Sequence, residues 1–229
     1  MSTILQIETA TQTCSIAISE NGRCLALKEE TGKNIHAANI TLFIEEVLES
    51  CNKAMSDLSA VAISMGPGSY TGLRIGVSTA KGLCYALDIP LIEVNTLSAM
   101  VSGFKSKYFS VQANTLFCPM IDARRMEVYC AVFDGNENEL LATTAKIING
   151  DSFSEVLENH TVYFFGDGAE KCEDLLGSNL NARVMGDYTN SARDLTTPAF
   201  EKFNNKEFVD VAYFEPFYLK EFIAGIKKA

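Results

Sequence analysis

The run Met65-Gly66-Pro67-Gly68-Ser69-Tyr70-Thr71-Gly72-Leu73-Arg74-Ile75-Gly76 constrains the fold more than any other stretch of the chain. The apolar run Ala60-Val61-Ala62-Ile63 before it reads as a buried strand. The spacing of Leu73, Val77, Ala80, Leu83 and Leu87 after it predicts a helix. Strand, glycine turn and helix together aim backbone N–H groups and a helix N-terminus at one place, where an anion or another protein surface can be received. The usual phosphate chemistry is missing. No Lys-Ser or Lys-Thr follows the last glycine, as a Walker A loop requires, and Gly66, Gly68 and Gly72 lack the spacing of a dinucleotide fingerprint.

Around that turn the chain reads as two similar halves. Ile4 to Ile7, Cys14 to Ser19 and Cys24 to Lys28 form a meander of strands, with Asn21-Gly22 as a hairpin turn. A helix over 36–53 carries Ile40, Ile44, Val47 and Cys51 on one stripe, with Phe43 and Leu48 beside it and Glu45, Glu46 and Glu49 off it. A strand over 58–65, the helix to about Leu87, a strand over 90–94 and a helix from an Asn95 or Thr96 cap toward Lys107 follow. This is the element order of the ribonuclease-H-like half that occurs twice in actin, sugar kinases and Hsp70. A divergent second copy fits a meander over 116–122, 127–133 and 140–148, with Asp134-Gly135-Asn136 as a turn. A short helix over 154–159, a strand over 162–165, a helix over 169–176, a strand over 183–185 and a helix over 192–203 complete it. The expected fold class is α/β: two ribonuclease-H-like (actin-like ATPase) lobes, mixed sheets flanked by helices. The polar, weakly patterned stretch 102–114 marks the boundary. It divides a first lobe, 1–104, from a second, 105–229, whose tail 216–229 is expected to pack back on the first.

Composition narrows the function. A formal net charge of −10 repels polyanions, and no Lys/Arg cluster is interleaved with aromatics, so an RNA-related role calls for a basic partner. Seven cysteines without a C-x-x-C read as reduced thiols of a cytoplasmic protein, with no zinc-ligand spacing. Met1-Ser2-Thr3 opens without a basic leader region, and no apolar run reaches the ~18 residues of a membrane span, so no membrane partner is expected.

Few residues offer chemistry. Glu8 ends the first strand among Thr9, Thr11 and Thr13. That turn is either a metal or phosphate loop or a hairpin whose short side chains cap their own backbone. His36 opens a helix with Ile40, not a second histidine, one turn on, so it reads as solvated rather than metal-bound. With His160 the only other histidine, a Ser-His-Asp or Cys-His hydrolase is hard to build. Asp122, Arg124 and Glu127 form either a charged cluster at the inter-lobe cleft or a salt-bridged turn. On the helix over 71–87, Ile75, Gly76, Thr79 and Gly82 make a small or apolar side. It fits either a docking surface or tight internal packing.

Gly66-Pro67-Gly68-Ser69-Tyr70-Thr71-Gly72-Leu73-Arg74-Ile75-Gly76 closely resembles the signature of the TsaB family, also called YeaZ. The opening over 4–19 resembles that family's I-L-x-I-D-T-A-T-x-x-x-S-V-A, with Glu8 for the commoner Asp. His36, Val94-Asn95-Thr96-Leu97, I-D-A-R at 121–124, E-V-Y at 127–129 and Glu215-Pro216-Phe217-Tyr218-Leu219-Lys220 match as well. Met126 stands where the family usually has Gly, and Lys220 where it has Arg. The resemblance implies an actin-like scaffold without activity of its own, partnered by a TsaD-like transferase. That enzyme carries the metal and moves a threonylcarbamoyl group to adenosine 37 of ANN-decoding tRNAs, and a TsaE-like P-loop ATPase joins in bacteria. It further implies a contact through the first two helices, here 36–53 and 71–87. Joined to the stripes above, this marks His36, Ile40, Phe43, Ile44, Val47, Tyr70, Arg74, Ile75, Thr79 and Gly82 as partner interface. The chain is expected to pair with itself when alone, to meet tRNA only through the complex and to bind no cofactor by itself. A nucleotide at the partner interface stays open. So do two other readings: an active actin-like ATPase or phosphotransferase with Glu8 holding the metal, and a glycoprotease-like peptidase.

Overall fold

Parallel strands cannot be joined by a tight turn, so each parallel return in a sheet needs a crossover. In the computed structural model, which describes residues 2–108 and 114–220, that rule shapes two five-stranded sheets. In the first, β1 (Thr3–Glu8), β2 (Thr13–Glu20) and β3 (Arg23–Thr31) run as an antiparallel meander. After α1 (His36–Ser50) and α2 (Tyr70–Leu87) respectively, β4 (Ala60–Gly66) and β5 (Leu91–Asn95) return parallel, giving the order β3-β2-β1-β4-β5. Ile7 faces Ile16 across the antiparallel pair and Ile63 across the parallel one.

The helix α3 (Thr96–Tyr108) leads to the second sheet. There β6 (Thr115–Asp122), β7 (Glu127–Phe133), β8 (Glu139–Ile147), β9 (Thr161–Phe165) and β10 (Ala182–Met185) repeat the first sheet's connectivity, read from the opposite edge. The crossover helices are shorter: α4 (Ser154–Leu157) and α5 (Glu173–Leu176). The expected helix over 169–176 is a 3₁₀ turn, Glu170–Cys172, running into α5, and that over 192–203 is a 3₁₀ turn, Ala192–Leu195, running into α6 (Thr196–Asn205).

One face of the first sheet offers Leu5, Ile7, Ile16, Ile18 and Ile63. It is covered by Ile40, Phe43, Ile44 and Val47 of α1 and by Val77, Ala80 and Cys84 of α2. This corrects the expectation for α1. The stripe assigned to a partner is in the chain's own core, at most 4% exposed. A period of 3.6 residues identifies an apolar stripe but not what covers it, and here an open sheet face lies next to it. Burying each of these side chains contributes about 2 kcal/mol.

The opposite face is lined by Ile4, Ala60, Ala62, Ile92 and Val94. The small Ala60 and Ala62 let Ala99 of α3, and Leu195 and Ala199 from the far end of the chain, come close. Helix α3 serves both sheets. Its Leu97, Met100, Val101 and Phe104 pack with Phe117, Ile121, Phe165 and Tyr188, and the Phe104 and Phe165 rings stack 4.0 Å apart. The helix is continuous to Tyr108, so 102–108 is not the weakly patterned linker expected there; residues 109–113 of that stretch lie outside the described residues. The chain then returns to the first sheet. Val209 N–H bonds Leu91 O at 3.0 Å and Phe217 N–H bonds Met65 O at 2.7 Å; 221–229 lie outside the described residues. The seven cysteines are unpaired thiols. Among the described residues, no helix is long and apolar enough to cross a membrane.

Candidate docking face and inter-lobe cleft

The glycine turn exists to lay α2 on the β1–β2 hairpin. Ser69 caps the helix, its Oγ accepting from Gly72 N–H at 3.3 Å, and its own N–H bonds Ala10 O at 2.6 Å. A Cβ added at Gly68 would stand 2.5 Å from Ala10 O. One at Gly72 would stand 2.1 Å from Thr9 O, and one at Gly76 2.2 Å from Thr9 Oγ1. At 68 and 72 backbone meets backbone, at 76 it meets the Thr9 side chain, and no added side chain fits. Gly72→Ala is therefore expected to cost roughly 3 kcal/mol in a urea melt. At Gly82, on the same helix, an added Cβ meets nothing within 4 Å. Gly82→Ala should instead stabilise by about 0.5–1 kcal/mol, the helix-propensity difference.

That packing decides how Glu8 is used. The carboxylate is 1% exposed, and its Oε1 accepts the Ala10 N–H at 2.6 Å. Thr13 N–H bonds Thr11 Oγ1 at 3.3 Å, so the hairpin caps its own backbone. Glu8 is therefore not presented to the cleft as a ligand for the magnesium of a bound phosphate. The acid is buried and engaged, and the α2 backbone presses on Thr9 and Ala10 beside it. Among the described residues no group of three or more His, Cys, Asp or Glu could hold a metal ion.

Burial pushes the Glu8 carboxyl up to about 7 against the pull of the Ala10 N–H. Burial likewise pushes Asp194 up to about 7, although the Tyr188 hydroxyl donates to it at 2.6 Å. The unfolded chain ionises these groups near pH 4. Between about 4 and 7 the folded state thus holds protons that the unfolded state has lost, and stability falls as pH rises through that window. Glu8→Gln keeps the acceptor for Ala10 N–H. It is expected to add roughly 2 kcal/mol at pH 8 and almost nothing at pH 4, read from thermal melts at both.

His36 is neither solvated nor poised for a metal. It is buried, with Nε2 3.3 Å from Thr13 O, and burial lowers its pKa, so it braces β2 as a neutral ring. It too leaves the expected interface. Tyr70 is half-buried, its ring 4.8 Å from that of Tyr218, and its hydroxyl accepts from Arg74 at 3.1 Å. The rest of the expected set shares the outward side of α2: Arg74 and Gly82 are exposed, Ile75 and Thr79 partly so. Sequence reasoning missed two exposed apolar side chains on these helices. Leu42 on α1 is 53% exposed and Tyr85 on α2 is 87% exposed. Leu42 falls off its helix's apolar stripe, which was the available signal.

Between the lobes lies a cleft of about 980 Å³, walled by the hairpin, the start of α2 and the β6–β7 turn. The structure does gather Asp122, Arg124 and Glu127 there, but the acids pair with lysines that the sequence did not point to. Lys171 bonds Asp122, and Lys220 bonds Glu127. Asp167, exposed in the same cleft, accepts the Asp122 N–H at 2.9 Å.

The chain matches the family model described as "TsaD: tRNA N6-adenosine threonylcarbamoyltransferase" over residues 29–213. It is 31% identical to the tRNA threonylcarbamoyladenosine biosynthesis protein TsaB of Escherichia coli K12, across 98% of this chain and 97% of that one. Two solved structures superpose on it. A Pseudomonas aeruginosa protein with similarity to the peptidase YEAZ has a TM-score of 0.80 and 26% identity, and YeaZ from Pseudomonas aeruginosa has 0.76 and 25%. Each alignment covers 96% of this chain and 100% of the other. Motif, fold and full-length relatedness agree: the chain belongs to the TsaB family, within the wider group that the TsaD family model describes.

Proposed function

We propose that this protein is a non-catalytic subunit of tRNA threonylcarbamoyladenosine biosynthesis. In this reading it docks a TsaD-type transferase through the outward side of α2, around Arg74, Ile75, Thr79, Gly82 and Tyr85, with Leu42 of α1 contributing. Gly82 carries the reading. A mid-helix glycine costs about 1 kcal/mol relative to alanine, and nothing among the described residues requires it, since none of their atoms lies within 4 Å of its would-be Cβ. A partner backbone pressed against that spot supplies the reason. The fully exposed aromatic Tyr85 one turn on is the kind of anchor that interfaces bury.

The sealed hairpin supports a scaffold rather than an ATPase. In this reading the transferase brings the chemistry to ANN-decoding tRNA, a TsaE-like ATPase joins the assembly, and any nucleotide sits between chains. The free protein pairs two-fold through the same face in the cytoplasm. Mixing the chain with its TsaD-type partner should give a complex on size exclusion, with amide exchange slowed over 74–86. Unchanged exchange there within a formed complex would place the contact elsewhere.

A further inference from the structure

We propose that the inter-lobe cleft holds the phosphodiester backbone of a single-stranded RNA segment on Arg124, Arg125 and Lys33, an inference that rests on the role in tRNA modification given above. The whole chain carries a net charge of −10, yet the cleft is locally the reverse. Its acids Asp122 and Glu127 are each neutralised by a lysine, and the exposed Asp167, which accepts the Asp122 N–H, is outnumbered by Lys33, Arg124 and Arg125. Lys33, Arg124 and Arg125 line the same cavity, and among the described residues none of the three has an ion-pair partner. No stretch of sequence announces this, because Lys33 follows β3 while the arginines cap the β6–β7 hairpin.

The hairpin tip is an expensive place for arginine. Arg124 and Arg125 sit at φ +72° and +51°, where glycine or asparagine is at ease. The turn keeps two guanidinium groups at the cost of backbone strain. Their planar forks match phosphate oxygens, and Tyr129 and Tyr218 add rings to the same cavity on which bases can stack.

A free nucleoside triphosphate fits poorly. It needs a cradle for its phosphates and a carboxylate for its magnesium. Thr9 and Ala10 lie against the α2 backbone, Glu8 is buried, and Asp122 and Glu127 are already paired, so of the acids lining the cleft only Asp167 has no ion-pair partner among the described residues. A phosphodiester strand carries one charge per phosphate, needs no metal, and suits scattered cations in an open cleft.

The test is fluorescence anisotropy of a labelled oligouridylate with the full-length chain, alone and in complex with its TsaD-type partner, over a salt series. The R124A/R125G double variant should bind about tenfold more weakly or worse. Its log affinity should fall with log salt less steeply, by about 0.7 for each phosphate that is no longer held. Its melting temperature should hold or rise, because glycine suits the backbone at 125; a merely structural arginine would do the opposite. Excess magnesium-ATP should not displace the RNA, and docking of the partner should be unchanged. Equal affinity of wild type and variant in both settings overturns the inference, as does stoichiometric displacement by magnesium-ATP. Retained docking with lost RNA binding separates this site from the α2 face, whose failure would show as lost docking instead.

Discussion

Ile44→Asp is expected to unfold the chain, not merely to detach it from a partner. Ile44 is 2% exposed and lies in the cluster that joins α1 to Leu5, Ile7 and Ile16. Removing an aliphatic side chain of this size from a packed core costs about 2–5 kcal/mol. A carboxylate left there without a partner adds several kcal/mol more, or is driven to protonate. Whole domains are stable by only about 5–15 kcal/mol, so the variant should show no cooperative melt by circular dichroism at 37 °C. Thr41→Asp, on the exposed side of the same helix, should melt within about 0.5 kcal/mol of the parent. A folded Ile44→Asp chain with a normal transition would contradict the core described above.

The contrast shows what a sequence of this kind carries. Local signals were sufficient for local structure. Asn21-Gly22 sits at φ +51° and +77°, as a tight hairpin needs. Asn95 Oδ1 caps α3 by accepting from Leu97 and Ser98 at 2.9 and 3.1 Å, and Asp134 organises its turn by accepting from Asn136 and Asn138. The order of those elements was enough to identify a duplicated ribonuclease-H-like fold. Coverage was not legible. The stripe of α1 looks the same whether its own sheet or another chain buries it. The small residues Ala60 and Ala62 do not announce that Leu195 and Ala199, well over a hundred residues on, will lie upon them. Charge pairing was equally hidden. Asp122 and Glu127 looked like partners for Arg124 along the sequence, yet the fold supplies Lys171 and Lys220 and leaves the arginines to the cleft. At the glycine turn the spacing was visible but its purpose was not, since close approach to Thr9 and Ala10 appears only when the hairpin folds under the helix.

Gly82→Arg is the second large effect expected, and its sign on stability is opposite to its sign on assembly. A Cβ added at this exposed position meets no atom of the described residues within 4 Å. Arginine is a better helix former than glycine by roughly 0.5–1 kcal/mol, so the melting temperature should hold or rise. A partner backbone that uses the missing Cβ to come close would meet a long, charged side chain instead. Disrupting one such central anchor point commonly costs 2–4 kcal/mol of association, about a thirtyfold to thousandfold weakening. The decisive measurement is therefore isothermal titration of the TsaD-type partner into Gly82→Arg and parent chains, each shown by its melt to be folded. A folded variant that binds at least thirtyfold more weakly is the expected result. A folded variant that binds with parental affinity would contradict it.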